Sequence, residues 1–188
     1  MTVLGVDPSL RATGLFLLED GHVIGQAVST GKMRGPARLV YIRDALCEML
    51  EPNRPVLVAM ESYSYGSIGK VFEIGELGGV LKVALYERGV PLILVAPVQL
   101  KKFVCGNTKA EKQGVIDAVN QELGLSLTPQ QNDVADAAGL ALIARAYLDP
   151  GSLTTRNRTE VIAAIRKSLT ISNTTKPRPR RRPKLQSI

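Results

Sequence analysis

Val3-Leu-Gly-Val-Asp7-Pro-Ser-Leu-Arg-Ala-Thr-Gly14-Leu-Phe-Leu-Leu-Glu19-Asp-Gly-His22-Val-Ile-Gly-Gln-Ala-Val-Ser29 is the stretch that decides the fold. Its apolar runs have the length of strands, and two turn signals, Pro8-Ser9 and Asp20-Gly21, divide them. The Asp-Gly pair suits a type I′ hairpin, whose two central residues both need φ > 0. An antiparallel meander is expected, with strands at Val3–Asp7, Gly14–Glu19 and His22–Ser29. Working outward, Leu39, Ile42, Leu46 and Leu50 recur at helical spacing from Pro36 until Pro52 breaks the pattern. Pro55-Val-Leu-Val-Ala-Met-Glu61 is apolar until its last residue, as in a central strand covered on both faces. There follow a helical stretch from Lys70 to Arg88, a strand at Pro91–Ala96 and a short connection ending in Lys101-Lys102-Phe103. Helices are expected from about Lys109 to Leu123 and from about Asn132 to Leu148. The order βββαβαβα predicts an α/β domain with a mixed five-stranded sheet flanked by helices.

With 188 residues, 45% of them apolar and 22% charged, the chain has room for one domain of about 150 residues and an extension. Those proportions exclude a wholly disordered, collagen-like or coiled-coil chain. No apolar run is long enough to span a membrane, and Asp7 sits where a signal peptide needs its apolar centre, so a cytoplasmic protein is expected. Two cysteines, Cys47 and Cys105, and one histidine, His22, exclude a Cys/His zinc site and a His-based triad. A metal here must be held by oxygen.

The net charge of +7 is unevenly placed. Residues 1–150 hold 14 Lys/Arg against 16 Asp/Glu, a net −2, whereas residues 151–188 hold 10 against one, Glu160, a net +9. Two units are therefore expected, a globular domain over 1–150 and a basic extension over 151–188. Asn157-Arg-Thr-Glu160 has the pattern of a capping box opening a short helix over about 157–169, with Val161, Ile165 and Leu169 on one face, free to dock on the domain or on a partner. Residues 170–188 are expected to be disordered. Lys176-Pro-Arg-Pro-Arg-Arg-Arg-Pro-Lys184 has six cations, three prolines and no acid, a composition suited to nucleic acid. Gly75, Gly78 and Gly79 inside a helix predict that another backbone comes close, within the fold or across a dimer.

Four acids carry the functional reading. Asp7 and Glu61 each end an apolar strand, and Asp133 and Asp136 stand three apart at the start of the last core helix. Singly, each has an ordinary role: Asp7 in a turn, Glu61 at a solvated strand end, Asp133 as a helix cap and Asp136 as first-turn charge. If the two strands are adjacent and the helix crosses their ends, all four converge, and such a cluster calls for cations. Hard oxygen ligands select Mg²⁺ or Mn²⁺, and two such ions suit phosphodiester hydrolysis.

Gly5-Val-Asp7-Pro-Ser-Leu-Arg-Ala-Thr-Gly14, Val58-Ala-Met-Glu61, Ala110-Glu-Lys112 and Asn132-Asp133-Val-Ala-Asp136-Ala-Ala resemble, in order and spacing, the RuvC-type Holliday-junction resolvases of the RNase H-like superfamily. The resemblance covers about residues 1–148. It implies an RNase H-like fold, a homodimer, and Mg²⁺-dependent paired nicking of four-way DNA junctions by a crossover junction endonuclease. Asp7, Glu61, Asp133 and Asp136 would then be catalytic metal ligands, holding two ions, with Lys112 at the rim of the active site. Lys101, Lys102 and Lys109 would neutralise flanking phosphates. Where the family often carries an aromatic three residues after the strand-end glutamate, this chain has Ser64, flanked by Tyr63 and Tyr65 as candidates to stack on a base. The glycine-bearing helix occupies the family's dimerisation region. The tail, with Arg178, Arg180, Arg181 and Arg182, lies outside the shared core and suits the grip of DNA arms; it leaves room for a phage-like member and leaves a branch-migration helicase partner open. Alternative readings are a catalytically silent RuvC-like nucleic-acid-binding protein and an RNase H or transposase-type nuclease.

Overall fold

The computed structural model describes residues 1–62 and 71–173, with side chains up to residue 168. Strands β1 (Val3–Asp7), β2 (Ala12–Glu19) and β3 (His22–Ser29) form the expected antiparallel meander. Strands β4 (Leu57–Glu61) and β5 (Leu92–Val95) add to its other edge in parallel, giving the order β3-β2-β1-β4-β5. Asp20-Gly21 makes the two-residue β2–β3 turn at the expected place, with Gly21 at φ 81°, but Asp20 is not at positive φ, so the turn is not the type I′ form that the pair predicts.

Strand parity divides the interior into two cores. Leu4, Val6, Leu15, Leu17, Val58 and Met60 face one side, beneath α1 (Gly35–Asn53) and α2 (Val71–Glu87). Val3, Phe16, Leu18, Leu57 and Ala59 face the other, beneath α5 (Asn132–Leu148). Around α5 lie α3 (Pro97–Cys105), α4 (Lys112–Leu123) and α6 (Arg156–Asn173). Short 3₁₀ turns at Pro129–Gln131 and Pro150–Ser152 flank α5. None of the helices among the described residues is long and apolar enough to cross a membrane.

Four further expectations need correction. Residues expected as a short connection before Lys109 are the helix α3. Pro97 occupies its first turn, the Ala96 N–H donates to Gln99 Oε1 at 2.8 Å, and Gly106, at φ 69°, ends it. The helix expected from Lys109 begins at Lys112, because Asn107 Oδ1 accepts the Lys109 N–H at 2.9 Å and holds residues 107–109 in a turn. Pro52 does not stop α1; it costs one bond in the last turn, and Arg54, at φ 42°, ends the helix by donating its N–H to Leu50 O.

The fourth correction concerns α6, which starts at Arg156 with Thr155 Oγ1 accepting the Arg158 N–H, while Asn157 and Glu160 are engaged elsewhere. It runs to Asn173, past the expected end at 169 and through residues 170–173, expected to be disordered. Its Val161, Ile162 and Ile165 are buried in the core beside α3, so the helix docks on the domain. Arg158 fastens it: Nη1 and Nη2 both donate to the Glu122 carboxylate, Nε donates to Phe103 O at 3.3 Å, and the guanidinium lies 4.8 Å from the Phe103 ring centroid.

Candidate active site

Register brings Asp7 and Glu61 together. Strands β1 and β4 pair Gly5 with Ala59 and Val6 with Met60, and one further step sets Asp7 beside Glu61. Both share the parity of Val3, Gly5, Leu57 and Ala59, so their side chains leave the sheet on the α5 side. Helix α5 reaches that spot because two glycines let it descend onto the sheet. A Cβ on Gly5 would meet Ala137 O at 1.9 Å, and one on Gly14, the partner of Asp7 in β2, would meet Asp133 O at 1.9 Å. Asp133 and Asp136, on the first turns of α5, therefore come to the strand ends.

The four carboxylates feel one another. Burial is the largest influence on Asp7 and raises its pKa well above the usual range; Glu61, Asp136 and Asp133 push in the same direction, and Lys112 opposes them. Burial with the nearby Asp136 charge raises Glu61 to about 7, against the pull of Lys101. Asp136 stands at about 6, raised by burial and Asp133 and lowered by Lys112 and Lys101. Asp133 is raised by burial, with Lys112 and the Asn132 amide, 3.3 Å away, holding it down. Among the described residues no three His, Cys, Asp or Glu side chains close into a ready coordination shell. The four acids are thus an electrostatic cluster rather than a preset cage, with a donor set of carboxylates alone, which fits a hard divalent cation.

Of the lysines singled out in the sequence, two meet this cluster. Lys112 opens α4 and acts on Asp7, Asp133 and Asp136. Lys101, expected at flanking phosphates, acts on Glu61 and Asp136 instead. It is carried there by α3, whose Leu100 packs so tightly on α5 that a Cβ on Gly139 would meet Leu100 Cδ1 at 2.6 Å. Lys102, one residue on, points to α6 and pairs with Glu160 at 2.7 Å. Lys109 is exposed in the turn before α4 and is not among the charges acting on the cluster. Tyr63, Tyr65, Arg178, Arg180, Arg181 and Arg182 lie outside the described residues. Sequence reasoning missed α3 as the carrier of Lys101 and missed the roles of Gly5 and Gly14; Pro97 and Gly106, at helix-start and helix-stop spacing, were the signal for the former.

The sequence profile of the family described as crossover junction endodeoxyribonuclease RuvC matches residues 3–144. Among curated relatives, the RuvC of Nocardia farcinica is 34% identical over 152 residues, covering 76% of this chain and 79% of its own. That of Mycobacterium ulcerans is 36% identical, covering 76% and 82%. The Thermus thermophilus RuvC solved in complex with a Holliday junction substrate superposes with a TM-score of 0.69 at 29% identity, covering 81% of this chain and 97% of that one. The mixed sheet and its flanking helices are the RuvC form of the RNase H-like fold, and the chain belongs to the crossover junction endodeoxyribonuclease RuvC family.

Proposed function

We propose that this chain is a metal-dependent endodeoxyribonuclease that resolves four-way DNA junctions by paired nicking, acting as a homodimer in the cytoplasm. The observation that carries the reading is the convergence of Asp7, Glu61, Asp133 and Asp136 at one end of the sheet in a chain of the RuvC family. These four would hold the divalent ions, two Mg²⁺ per site with Mn²⁺ able to substitute. Bound there, the ions supply an activated water and charge neutralisation at a phosphodiester. Lys112 and Lys101 bring ammonium groups to the same spot, where they orient the scissile phosphate and stabilise the charge that develops on it. Lys102 and Lys109 border the site on α3 and the turn before α4, suited to flanking phosphates. Tyr63 or Tyr65 is proposed to stack on a base at the crossover, and Arg178, Arg180, Arg181 and Arg182 to grip the DNA arms.

Support for the homodimer comes from α2. Leu77, Leu81 and Leu85 face the core, while Phe72 is 88% and Tyr86 74% exposed. Among the described residues no atom beyond the helix's own backbone lies within 4 Å of a Cβ placed on Gly75 or Gly79, so for these two the approach of a second subunit is favoured over an approach within the fold, whereas Gly78 is buried. A groove of about 530 Å³ between α1 and α2, lined by Leu39, Arg43, Glu76, Gly79, Val83 and Glu87, continues that face. Two active sites related by a dyad suit two opposed strands of a symmetrical junction.

Labelled four-way junctions, RNA–DNA hybrids and linear duplexes, incubated with and without Mg²⁺ and mapped for nicks, test the reading. Symmetrical cuts in the junction alone are expected. Cleavage of the hybrid with an intact junction would transfer the chain to RNase H chemistry.

A further inference from the structure

We propose that a cleft at the same end of the sheet as the active site, on its α1/α2 side and built by Arg11, Arg34 and Arg38, binds a backbone phosphate of the DNA strand; this inference rests on the reading of the chain as a DNA endonuclease. The cleft encloses about 370 Å³ and is lined by Leu10, Arg11, Ser29, Arg34, Arg38 and Glu73. Arg38 is 6% exposed. Its Nη2 donates to Glu73 Oε2 at 2.5 Å, but its Nε is buried without a hydrogen-bond partner, the one such side-chain atom among the described residues. A buried guanidinium N–H without an acceptor is costly, so the pairing with Glu73 leaves the Arg38 guanidinium incompletely satisfied. Arg11 and Arg34 stand exposed at the mouth, so three guanidiniums face one half-exposed acid, Glu73. The N-terminus of α1, 19 residues long, adds partial positive charge, with no acid in its first turn and no side-chain cap from Arg34.

Hydrogen bonds cross-link the cleft. Buried Thr30 ties its two walls together: its N–H donates to Arg11 O at 3.0 Å, its hydroxyl donates to Leu10 O at 2.8 Å, and its carbonyl accepts the Met33 N–H at 2.9 Å. Ser9 Oγ accepts the Arg11 N–H at 3.3 Å and fixes the turn that follows Asp7. The end of β1, the start of β2 and the end of β3 lie at one end of the sheet, so the cleft and the carboxylates share that end. Arg11 stands four positions after Asp7, a reach of at most about 14 Å between their Cα atoms. At a rise of about 3.4 Å per nucleotide, a phosphate held here sits within about four nucleotides of the cleaved bond. Among the described residues the cleft lining is polar and cationic, with charge for a phosphate.

Junction binding to an Asp7→Asn background, measured as a function of salt, tests the assignment with two sets of variants. Adding Arg11→Gln and Arg34→Gln, both exposed, is expected to weaken binding about tenfold near 0.1 M salt and to flatten the log–log salt slope by about 1.5. Adding Glu73→Gln instead is expected to tighten binding several-fold, because Arg38 loses its competing acid. An unchanged slope in the double arginine variant overturns the proposal, as does weakening by Glu73→Gln, which would mark the cluster as a structural brace. Inorganic phosphate is the second probe. If it raises the melting temperature of the wild type to a plateau, fails to do so in the double arginine variant, and the junction slope is unchanged, the cleft takes a small phosphate and not a strand. Cleavage by the wild type is assayed in parallel; loss of all cutting there, with the binding differences intact, removes the nuclease reading and leaves the cleft.

Discussion

Asp7 is the acid on which burial and three neighbouring carboxylates, Glu61, Asp136 and Asp133, all act in one direction. Asp7→Asn should abolish cleavage in Mg²⁺ while leaving junction binding largely intact, checked by nicking assays beside equilibrium binding; retained cutting would remove Asp7 from the site. Glu61 allows a signed prediction for protein kept free of metal by a chelator. Its pKa rises from 4.5 to about 7 on folding. Between those values the folded chain keeps a proton that the unfolded chain has lost, so stability is full below the lower value and falls as pH rises through the higher. Wild type should therefore lose on the order of 2 kcal/mol relative to Glu61→Gln between pH 4.5 and 7.5. Parallel melting curves at the two pH values would refute this. The acids themselves were legible in the sequence because each interrupts an apolar context. Their shared side of the sheet was not, since Val58-Ala-Met60 is apolar toward both cores and hides the parity.

At the scale of elements, α5 fits only where the sheet lacks side chains. Gly14→Ala puts a methyl group 1.9 Å from Asp133 O, so the first turn of α5 must lift. A cost of about 1–3 kcal/mol and a marked loss of cleavage are expected, read by thermal melts and nicking assays. Gly79→Leu tests α2 in the opposite sense. Its added side chain meets open space in the isolated chain, so the fold should hold while the dimer weakens; sedimentation showing an unaltered dimer would count against the α2 interface. Strands and long helices were readable from periodicity and turn residues. Helix α3 was not, because its nine residues hold only two buried side chains, Leu100 and Phe103, too few to mark a period. The glycines show the same limit: those in α2 drew notice by their density, whereas the close approaches belong to Gly5, Gly14 and Gly139, whose partners lie far away along the chain.

Over the whole molecule, charge and fold are separable. The residues before 151 carry a net −2 and the remainder +9. Deleting residues 176–188, which removes six cations, should weaken junction binding and flatten its salt dependence without lowering the melting temperature, because the buried anchors of α6, Val161, Ile162 and Ile165, stay in place. An unchanged slope would mean that the arm does not touch DNA. Composition made this division legible, but the firm seating of α6 was hidden, since an amphipathic face does not name what it covers.

The position of α5 late in the chain has a consequence for synthesis. Two of the four acids leave the ribosome early, whereas Asp133 and Asp136 arrive on a helix that begins at residue 132. A nascent polypeptide shorter than that has two of the four carboxylates and nothing to cover one side of its sheet. The four carboxylates are therefore brought together only once translation has delivered this late helix.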